Sequence, residues 1–151
     1  MAVSMFAMTA AFAVDDNMVE EDVITEEESA RSSSHGYNVT DNAGNKYYLL
    51  GYVTSAGAKA TIYTGFEITN YAESMNQANN RSKNLTANGT AYYGLLGTAV
   101  SFGGSEGRSG ATNHISYTKT AGGTVGSVVG DHAFSCNGAS KTWPTDLVPA
   151  G

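Results

Sequence analysis

The chain has 151 residues, including 18 glycines and two prolines, and its formal net charge at neutral pH is −6. This length is typical of one domain with a modest hydrophobic core. Eight of the 14 acidic residues lie between positions 15 and 28, so the rest of the chain is nearly neutral. Its lysines and arginines occur singly, without the basic stripe that a phosphate backbone follows, which excludes nucleic acid as an expected partner.

The first residues have the features of an export signal. Residues 1–13 are apolar and end in Ala11-Phe12-Ala13, the small-x-small pattern after which signal peptidase cuts. We therefore predict a signal peptide over residues 1–13, a mature protein that begins at Val14, and secretion to the extracellular space. The missing positive charge before the apolar run leaves a buried N-terminal element as the alternative. No run of 18 apolar residues follows, so we expect no stable membrane anchor.

Residues 14–34 are interpreted as an acidic leader. The few apolar residues, among them Val19, Val23 and Ile24, accompany eight acidic ones, and this apolar surface is too small to offset the entropy lost on ordering. The segment is therefore predicted to be disordered and to end in the linker Ser32-Ser33-Ser34. A solubilising tail is favoured over a propeptide or a spacer.

From residue 35 onward the chain has the composition of a β-protein, rich in Gly, Thr, Asn, Ser and Tyr. We predict an antiparallel β-sandwich or small closed barrel of about six to eight strands over residues 35–151. Residues 46–54 are apolar on both strand faces, which indicates burial on each side. The large apolar residues are few, so a stable fold requires nearly all of them inside. Trp143 is expected to attach the C-terminal tail to the domain.

Alternation of apolar and polar residues is clearest over residues 85–102, which we interpret as one central, half-buried strand. A two-residue hairpin turn at Asn88-Gly89 is the alternative. The glycine-rich residues 103–110 are predicted to form a flexible loop. Residues 72–84 are polar and rich in asparagine, which favours a long exposed connection of the kind that often carries binding residues. A helical turn at residues 72–78 is the alternative.

The chain contains no recognisable catalytic or metal-binding pattern. His35, His114 and His132 lack metal-ligand spacing, and Asp131 is expected on the strand face opposite to His132. Cys136 shares a face with His132, but the two lie roughly 13 Å apart along a strand, too far for a hydrogen bond. We therefore predict a protein that is not an enzyme and needs no cofactor or metal.

A single cysteine cannot form an internal disulfide. Cys136 is interpreted as a buried thiol, with an intermolecular disulfide as the alternative. That alternative belongs to a second hypothesis, in which strand edges or Cys136 join identical chains into a homo-oligomer.

Tyrosine is the most informative residue type, because all nine tyrosines lie between residues 37 and 117. Each combines a flat apolar ring with a polar tip, which suits recognition surfaces. An ordinary role as a strand residue lining a wet sheet is the alternative. The predicted ligand-binding residues are Tyr63, Tyr71, Tyr92, Asn76, Asn79 and Asn80.

These features together favour a small secreted, non-enzymatic module that recognises a protein or a carbohydrate outside the cell. The Tyr, Asn, Ser and Gly content is similar to that of small secreted all-β proteins of bacteria, including some bacteriocins, although no motif is shared. A bacteriocin-like or toxin-like protein and a self-assembling subunit of an extracellular filament are the alternatives.

Overall fold

The computed structural model describes residues 31–147. Within this range eight strands and one short helix follow one another: β1 (Arg31–Thr40), β2 (Lys46–Ala56), β3 (Lys59–Asn70), α1 (Met75–Asn80), β4 (Lys83–Tyr93), β5 (Thr98–Arg108), β6 (Thr112–Thr120), β7 (Val125–Cys136) and β8 (Ala139–Leu147). No helix in this part of the chain is long and apolar enough to cross a bilayer. The predicted signal peptide and the acidic leader up to residue 30 lie outside the described residues.

The strands form two antiparallel sheets of four strands each. The first sheet has the order β1-β2-β3-β6, and the second sheet has the order β5-β4-β7-β8. Across the interior, β1 faces β8, β2 faces β7, β3 faces β4 and β6 faces β5. The predicted antiparallel sandwich of six to eight strands is confirmed, and the alternative of a closed barrel is wrong because the two sheets stay separate.

The connections between the strands gather at two ends of the sandwich. The end that we call the polar end holds the connections 41–45, 71–82, 109–111 and 137–138. The opposite end, which we call the glycine-rich end, holds the connections 57–58, 94–97 and 121–124. Strand β1 begins and β8 ends at the glycine-rich end.

The core lies between the sheets and is built from alternate residues of each strand. Tyr47 and Leu49 of β2 are fully buried, as are Phe66 of β3 and Leu85 of β4. The ring of Phe134 from the second sheet packs against Tyr47, with centroids 5.3 Å apart. Most large apolar side chains are therefore inside, as the sequence required. The exposed exceptions are Met75, Tyr92, Leu95 and Leu96.

The prediction of a single strand over residues 85–102 is wrong. Strand β4 ends at Tyr93 and β5 begins at Thr98, and the alternative turn at Asn88-Gly89 lies in the middle of β4. Gly94 and Gly97 have φ angles of 77° and 65°, which glycine adopts without strain, so the chain reverses between them. Leu95 continues the apolar alternation of β4 although it is exposed, and this concealed the turn.

Two other segments differ from their predicted structure. Residues 103–110 are not a flexible loop over most of their length, because β5 continues to Arg108. The segment 72–84 is a largely exposed connection up to Ser82, as predicted, and the helical turn considered there is present as α1. The linker predicted at Ser32-Ser33-Ser34 lies within β1 and pairs with β2. Trp143, expected to attach the tail, is buried in β8.

Gly51 of β2 allows the two sheets to approach closely around a pair of stacked rings. The rings of His132 and Trp143 have centroids 5.3 Å apart and planes inclined by 16°. A Cβ atom on Gly51 would lie 2.5 Å from Trp143 Nε1 and 2.6 Å from the His132 ring. Any side chain at this position would have to displace both rings.

We expect the substitution Gly51→Ala to lower the free energy of unfolding by about 1–3 kcal/mol, because the added methyl group overpacks the core. Urea unfolding measures this change. Gly107→Ala is the matched control, since a Cβ there would make only ordinary contacts, the nearest 3.5 Å away. The control should change stability by less than about 0.5 kcal/mol. Equal stability of Gly51→Ala and the parent protein would contradict the packing described.

Candidate functional site

A buried carboxylate organises the β1–β2 turn at the polar end. Asp41 accepts hydrogen bonds from the backbone N–H groups of Ala43 at 2.9 Å and Asn45 at 3.0 Å. It also accepts one from the Tyr47 hydroxyl at 2.9 Å. Burial alone would raise the pKa of Asp41, but these hydrogen bonds outweigh it and hold the pKa below its ordinary value. The ionised carboxylate therefore stabilises the turn.

A second carboxylate at this end binds an arginine in a bidentate pair. Arg81 donates from Nε and from a terminal nitrogen to the two oxygens of Glu73, at 2.6 and 2.8 Å. Asn45 donates to Glu73 at 2.7 Å. The hydrogen bonds from Arg81 and Asn45 lower the pKa of Glu73 to about 2. Both partners are thus fully engaged with each other and with the connection around α1.

Lys83 is the fully buried cation of the polar end. Its ammonium group donates to the backbone carbonyls of Ala78 at 2.6 Å, Asn79 at 3.2 Å and Gly110 at 3.1 Å. Burial lowers the pKa of Lys83. Because the three carbonyls belong to α1 and to the β5–β6 connection, Lys83 joins the two segments that cross between the sheets at this end.

Asp41, Glu73, Arg81 and Lys83 are therefore all engaged with one another, with neighbouring polar side chains or with the backbone. Among the described residues, no group of three or more His, Cys, Asp or Glu side chains could hold a metal ion. We interpret the polar end as a structural cluster.

We expect Lys83→Met to lower the free energy of unfolding by about 1–3 kcal/mol, because three carbonyls at a buried site lose their charged donor. Thermal and urea unfolding measure the loss. Lys46→Met is the matched control, since Lys46 is exposed at the start of β2. If Lys83→Met is as stable as Lys46→Met, the hydrogen bonds from the ammonium group to the three carbonyls do not contribute to stability.

The lone thiol of the chain lies inside the fold. Cys136 is 3% exposed, and its Sγ lies 3.5 Å from the hydroxyl oxygen of Tyr47. This placement agrees with the interpretation of a buried thiol. A disulfide to another chain would require the polar end to open. His132, on the same face of β7, forms its hydrogen bonds with other residues.

His132 lies between the two sheets with both ring nitrogens in hydrogen bonds. Its Nδ1 is 2.7 Å from Thr64 Oγ1, and its Nε2 is 2.8 Å from Thr145 Oγ1. Thr64 donates its one hydroxyl proton to the carbonyl of Thr86. We therefore assign the proton of the imidazole to Nδ1, which donates to Thr64, while Nε2 accepts from Thr145. The neutral ring is fully satisfied in this arrangement.

Burial, with a smaller contribution from the charge of His35, lowers the pKa of His132 to about 3. An unfolded histidine has a pKa near 6.5, so between these values the unfolded state binds a proton that the native state does not. We expect this residue to reduce the free energy of unfolding by about 1.4 kcal/mol per pH unit as the pH falls from 6.5 towards 3. Its effect vanishes above pH 6.5.

Urea unfolding between about pH 7 and pH 4 measures this slope. The variant His132→Gln lacks the titrating ring and should show a shallower dependence over the same range. An unchanged slope in the variant would show that His132 does not cause the acid destabilisation.

A different set of side chains faces outward on the first sheet. Strand alternation puts them there, because their neighbours Val53, Ile62 and Ile115 point into the core. We call this surface the aromatic face, and it consists of Tyr48, Leu50, Tyr52, Tyr63 and His114.

Three rings of the aromatic face form a stack across β2, β3 and β6. Tyr52 and Tyr63 are cross-strand partners with centroids 4.5 Å apart and planes inclined by 9°. His114 stacks on Tyr63 at 4.9 Å and 19°. Tyr63, in the middle, is only 7% exposed, whereas Tyr52 and His114 are half-buried. Neighbouring rings on the same surface thus remove most of the water from Tyr63.

Two glycines let the tyrosines lie along the sheet instead of projecting from it. A Cβ atom on Gly36 would overlap the hydroxyl group of Tyr48, and one on Gly65 would lie 2.8 Å from the Tyr63 hydroxyl oxygen. The rings therefore cover the backbone at both positions. The result is a low, continuous apolar surface.

The aromatic face is uncharged near neutral pH. Burial lowers the pKa of His114, and the positive charge of Arg108 lowers it further. Burial and the nearby carboxylate of Glu67 raise the pKa of Tyr48. Polar groups border the rings, among them Thr61 and Thr118, whose hydroxyl oxygens are 2.9 Å apart. Such a surface suits an uncharged ligand that has both apolar faces and hydroxyl groups.

The predicted tyrosines do not share one surface. Tyr63 lies within the aromatic face, but Tyr92 lies on the outer face of the second sheet, where it is 37% exposed. The register of the two sheets separates them, because β3 and β4 face each other through the core.

The remaining predicted residues lie together at the polar end. Tyr71 donates a hydrogen bond to Asn79 Oδ1 at 2.8 Å. Asn76 and Asn80 are exposed on α1, and the Asn80 amide donates to the Asn76 side chain at 3.5 Å. These residues therefore lie outside the aromatic face.

The other members of the aromatic face were not predicted as site residues. Apolar residues on both faces of 46–54 were the available signal. This pattern predicts that both sides of β2 are buried. Only the inner side is, because Tyr48, Leu50 and Tyr52 on the outer side remain half-exposed. The stacking of Tyr52 with Tyr63 depends on strand register, which the sequence does not show.

The outer face of the second sheet has two shallow depressions, of about 300 and about 380 Å³. Asp131 lines both and supplies their one carboxylate. Asp131 is exposed while His132 points into the core, so the prediction that they occupy opposite faces is confirmed. The remaining lining is mainly hydroxyl, amide and small side chains, which gives no strong preference for a ligand.

No protein-family model matches this chain, and a search of curated proteins found no matching relative. We therefore infer a function from the chemistry of the protein surface.

Proposed function

We propose that this protein is a non-enzymatic recognition module that acts outside the cell and binds a carbohydrate through the aromatic face. The observation that carries the proposal is the stack of Tyr52, Tyr63 and His114 on an outward-facing sheet surface. Aromatic side chains placed outside the core, where polar ones would keep the sheet soluble, are typical of a binding surface.

The charge of the aromatic face supports a neutral ligand. Its rings are uncharged near neutral pH, and Glu67 is the carboxylate at its border. Sugar rings present apolar C–H faces that pack on aromatic rings, and their hydroxyl groups donate to carboxylate and amide oxygens. A flat patch of a protein partner is the other ligand that this surface would suit.

One edge of the second sheet favours recognition over filament assembly. The edge strand β8 contains Pro144, which lacks a backbone donor. Lys141 of the same strand lies over the ring of Tyr37, with Nζ 4.5 Å from the ring centroid. A proline and an inward-facing charge both hinder pairing with a further strand.

We expect Tyr52→Ala to weaken ligand binding about tenfold or more, because it removes a ring contact and the apolar area buried with it. Binding is measured on an array of neutral oligosaccharides, including glucose and N-acetylglucosamine oligomers, and then by NMR titration with the strongest ligand. Chemical shifts of Tyr48, Tyr52 and His114 should change on titration.

Tyr92→Ala is the matched control, because it removes an exposed tyrosine from the other sheet. Equal effects of the two substitutions would contradict a site on the aromatic face. Failure of all the oligosaccharides, together with capture of a protein partner that Tyr52→Ala abolishes, would assign the surface to protein recognition instead.

A further inference from the structure

The glycine-rich end carries the most exposed apolar side chains of the described chain. Leu95 and Leu96 form the tip of the β4–β5 turn and are 105% and 94% exposed. The other exposed large apolar residues, Met75 at 61% and Tyr92 at 37%, are considerably more covered. Transfer of these two leucine side chains from water to an apolar medium would be favourable.

The residues next to the tip are held in place by packing and by backbone hydrogen bonds. Tyr93, at the end of β4, packs against Gly122, where a Cβ atom would lie 2.9 Å from its ring. The neighbouring connections are joined by backbone hydrogen bonds from Ala121 to Ala58 at 2.7 Å and from Val125 to Gly57 at 2.9 Å. The leucines therefore project from an ordered end of the sandwich.

The shape of the tip limits what can cover it. It is convex, so a rigid partner would need a matching apolar pocket. Two shallow depressions lie on the outer face of the second sheet, and the exposed carboxylate of Asp131 lines both, so neither offers a purely apolar pocket to the tip of a second copy. A fluid hydrocarbon layer needs no matching pocket, because lipid chains rearrange around an inserted side chain.

The groups around the tip suit the boundary of a bilayer. Tyr92 and Tyr93 directly precede the turn, and tyrosine concentrates at membrane–water interfaces. Lys59 and Lys119 are exposed at the same end of the first sheet, where ammonium groups would meet lipid phosphates. The connections of this end, 57–58, 94–97 and 121–124, contain no carboxylate.

We propose that the glycine-rich end docks on a lipid bilayer, with Leu95 and Leu96 inserted below the phosphates. Insertion of the leucines, and not charge attraction, is the main contribution, because the connections that form this end carry no charged side chain. Two side chains give weak, reversible binding of a kind that needs about millimolar lipid. This surface is separate from the aromatic face, so the two proposals stand independently.

The test uses the full chain and vesicles of phosphatidylcholine at about millimolar lipid, with the bound fraction measured by sedimentation. We expect binding at about 0.15 M NaCl that persists at about 1 M NaCl, because salt screens charges but does not weaken burial of apolar groups. The double variant Leu95→Ser/Leu96→Ser should bind at least about tenfold more weakly. Both positions are fully exposed, so the variant should fold normally, which circular dichroism verifies.

Met75→Ser is the matched control, because it removes an exposed apolar side chain from the polar end and should leave vesicle binding unchanged. The variant Leu96→Trp reports insertion directly, since its fluorescence should be quenched by brominated lipid. No vesicle binding, release by 1 M NaCl, or equal binding by the double variant would overturn the proposal. A lipid-independent dimer that only the double variant loses, without vesicle binding, would assign the tip to self-association instead.

Discussion

The imidazole of His132 connects the two sheets at the centre of the sandwich. It binds Thr64 of the first sheet and Thr145 of the second, and it stacks on Trp143. A core with few large apolar residues includes polar groups, and a buried polar group is costly unless its hydrogen bonds are satisfied. Both ring nitrogens of His132 are satisfied, whereas Trp143 Nε1 is buried without a hydrogen-bond partner among the described residues. Gly51 provides the space in which these rings fit, so the approach of the sheets at this point depends on the cluster.

The two ends of the sandwich are stabilised in different ways. At the polar end, Asp41 accepts hydrogen bonds from backbone N–H groups of its own turn, and Glu73 pairs with Arg81. Lys83 donates to backbone carbonyls of the two connections that cross between the sheets. At the glycine-rich end the connections are short and close through backbone hydrogen bonds. Among residues 31–147, apolar side chains in contact with water are concentrated at that end and on the aromatic face. Function is accordingly expected on surfaces, since the buried charges are fully used in stabilising the fold.

The all-β class and the opposite faces of Asp131 and His132 follow from alternation along single strands, which is a local property. Alternation left the sandwich and the closed barrel as alternatives, because it does not show which strands pair. Alternation did not reveal the turn at residues 94–97, because Leu95 falls in step with the core-facing residues of β4. Gly94 and Gly97 were the local signal for a turn. The aromatic face could be predicted only in part. Apolar residues on the outer side of β2 were visible in the sequence, but their partners Tyr63 and His114 come from β3 and β6.

The composition of each strand face can be read along the chain, because side chains of a strand alternate between its two sides whatever the strand pairs with. Which faces meet depends on the folded arrangement of all eight strands. This arrangement placed Tyr52 beside Tyr63, set Tyr92 on the opposite sheet and left Leu95 and Leu96 in water. The physical reason is that register and sheet order arise from contacts between residues distant in the chain, and those contacts are selected by packing of the whole core.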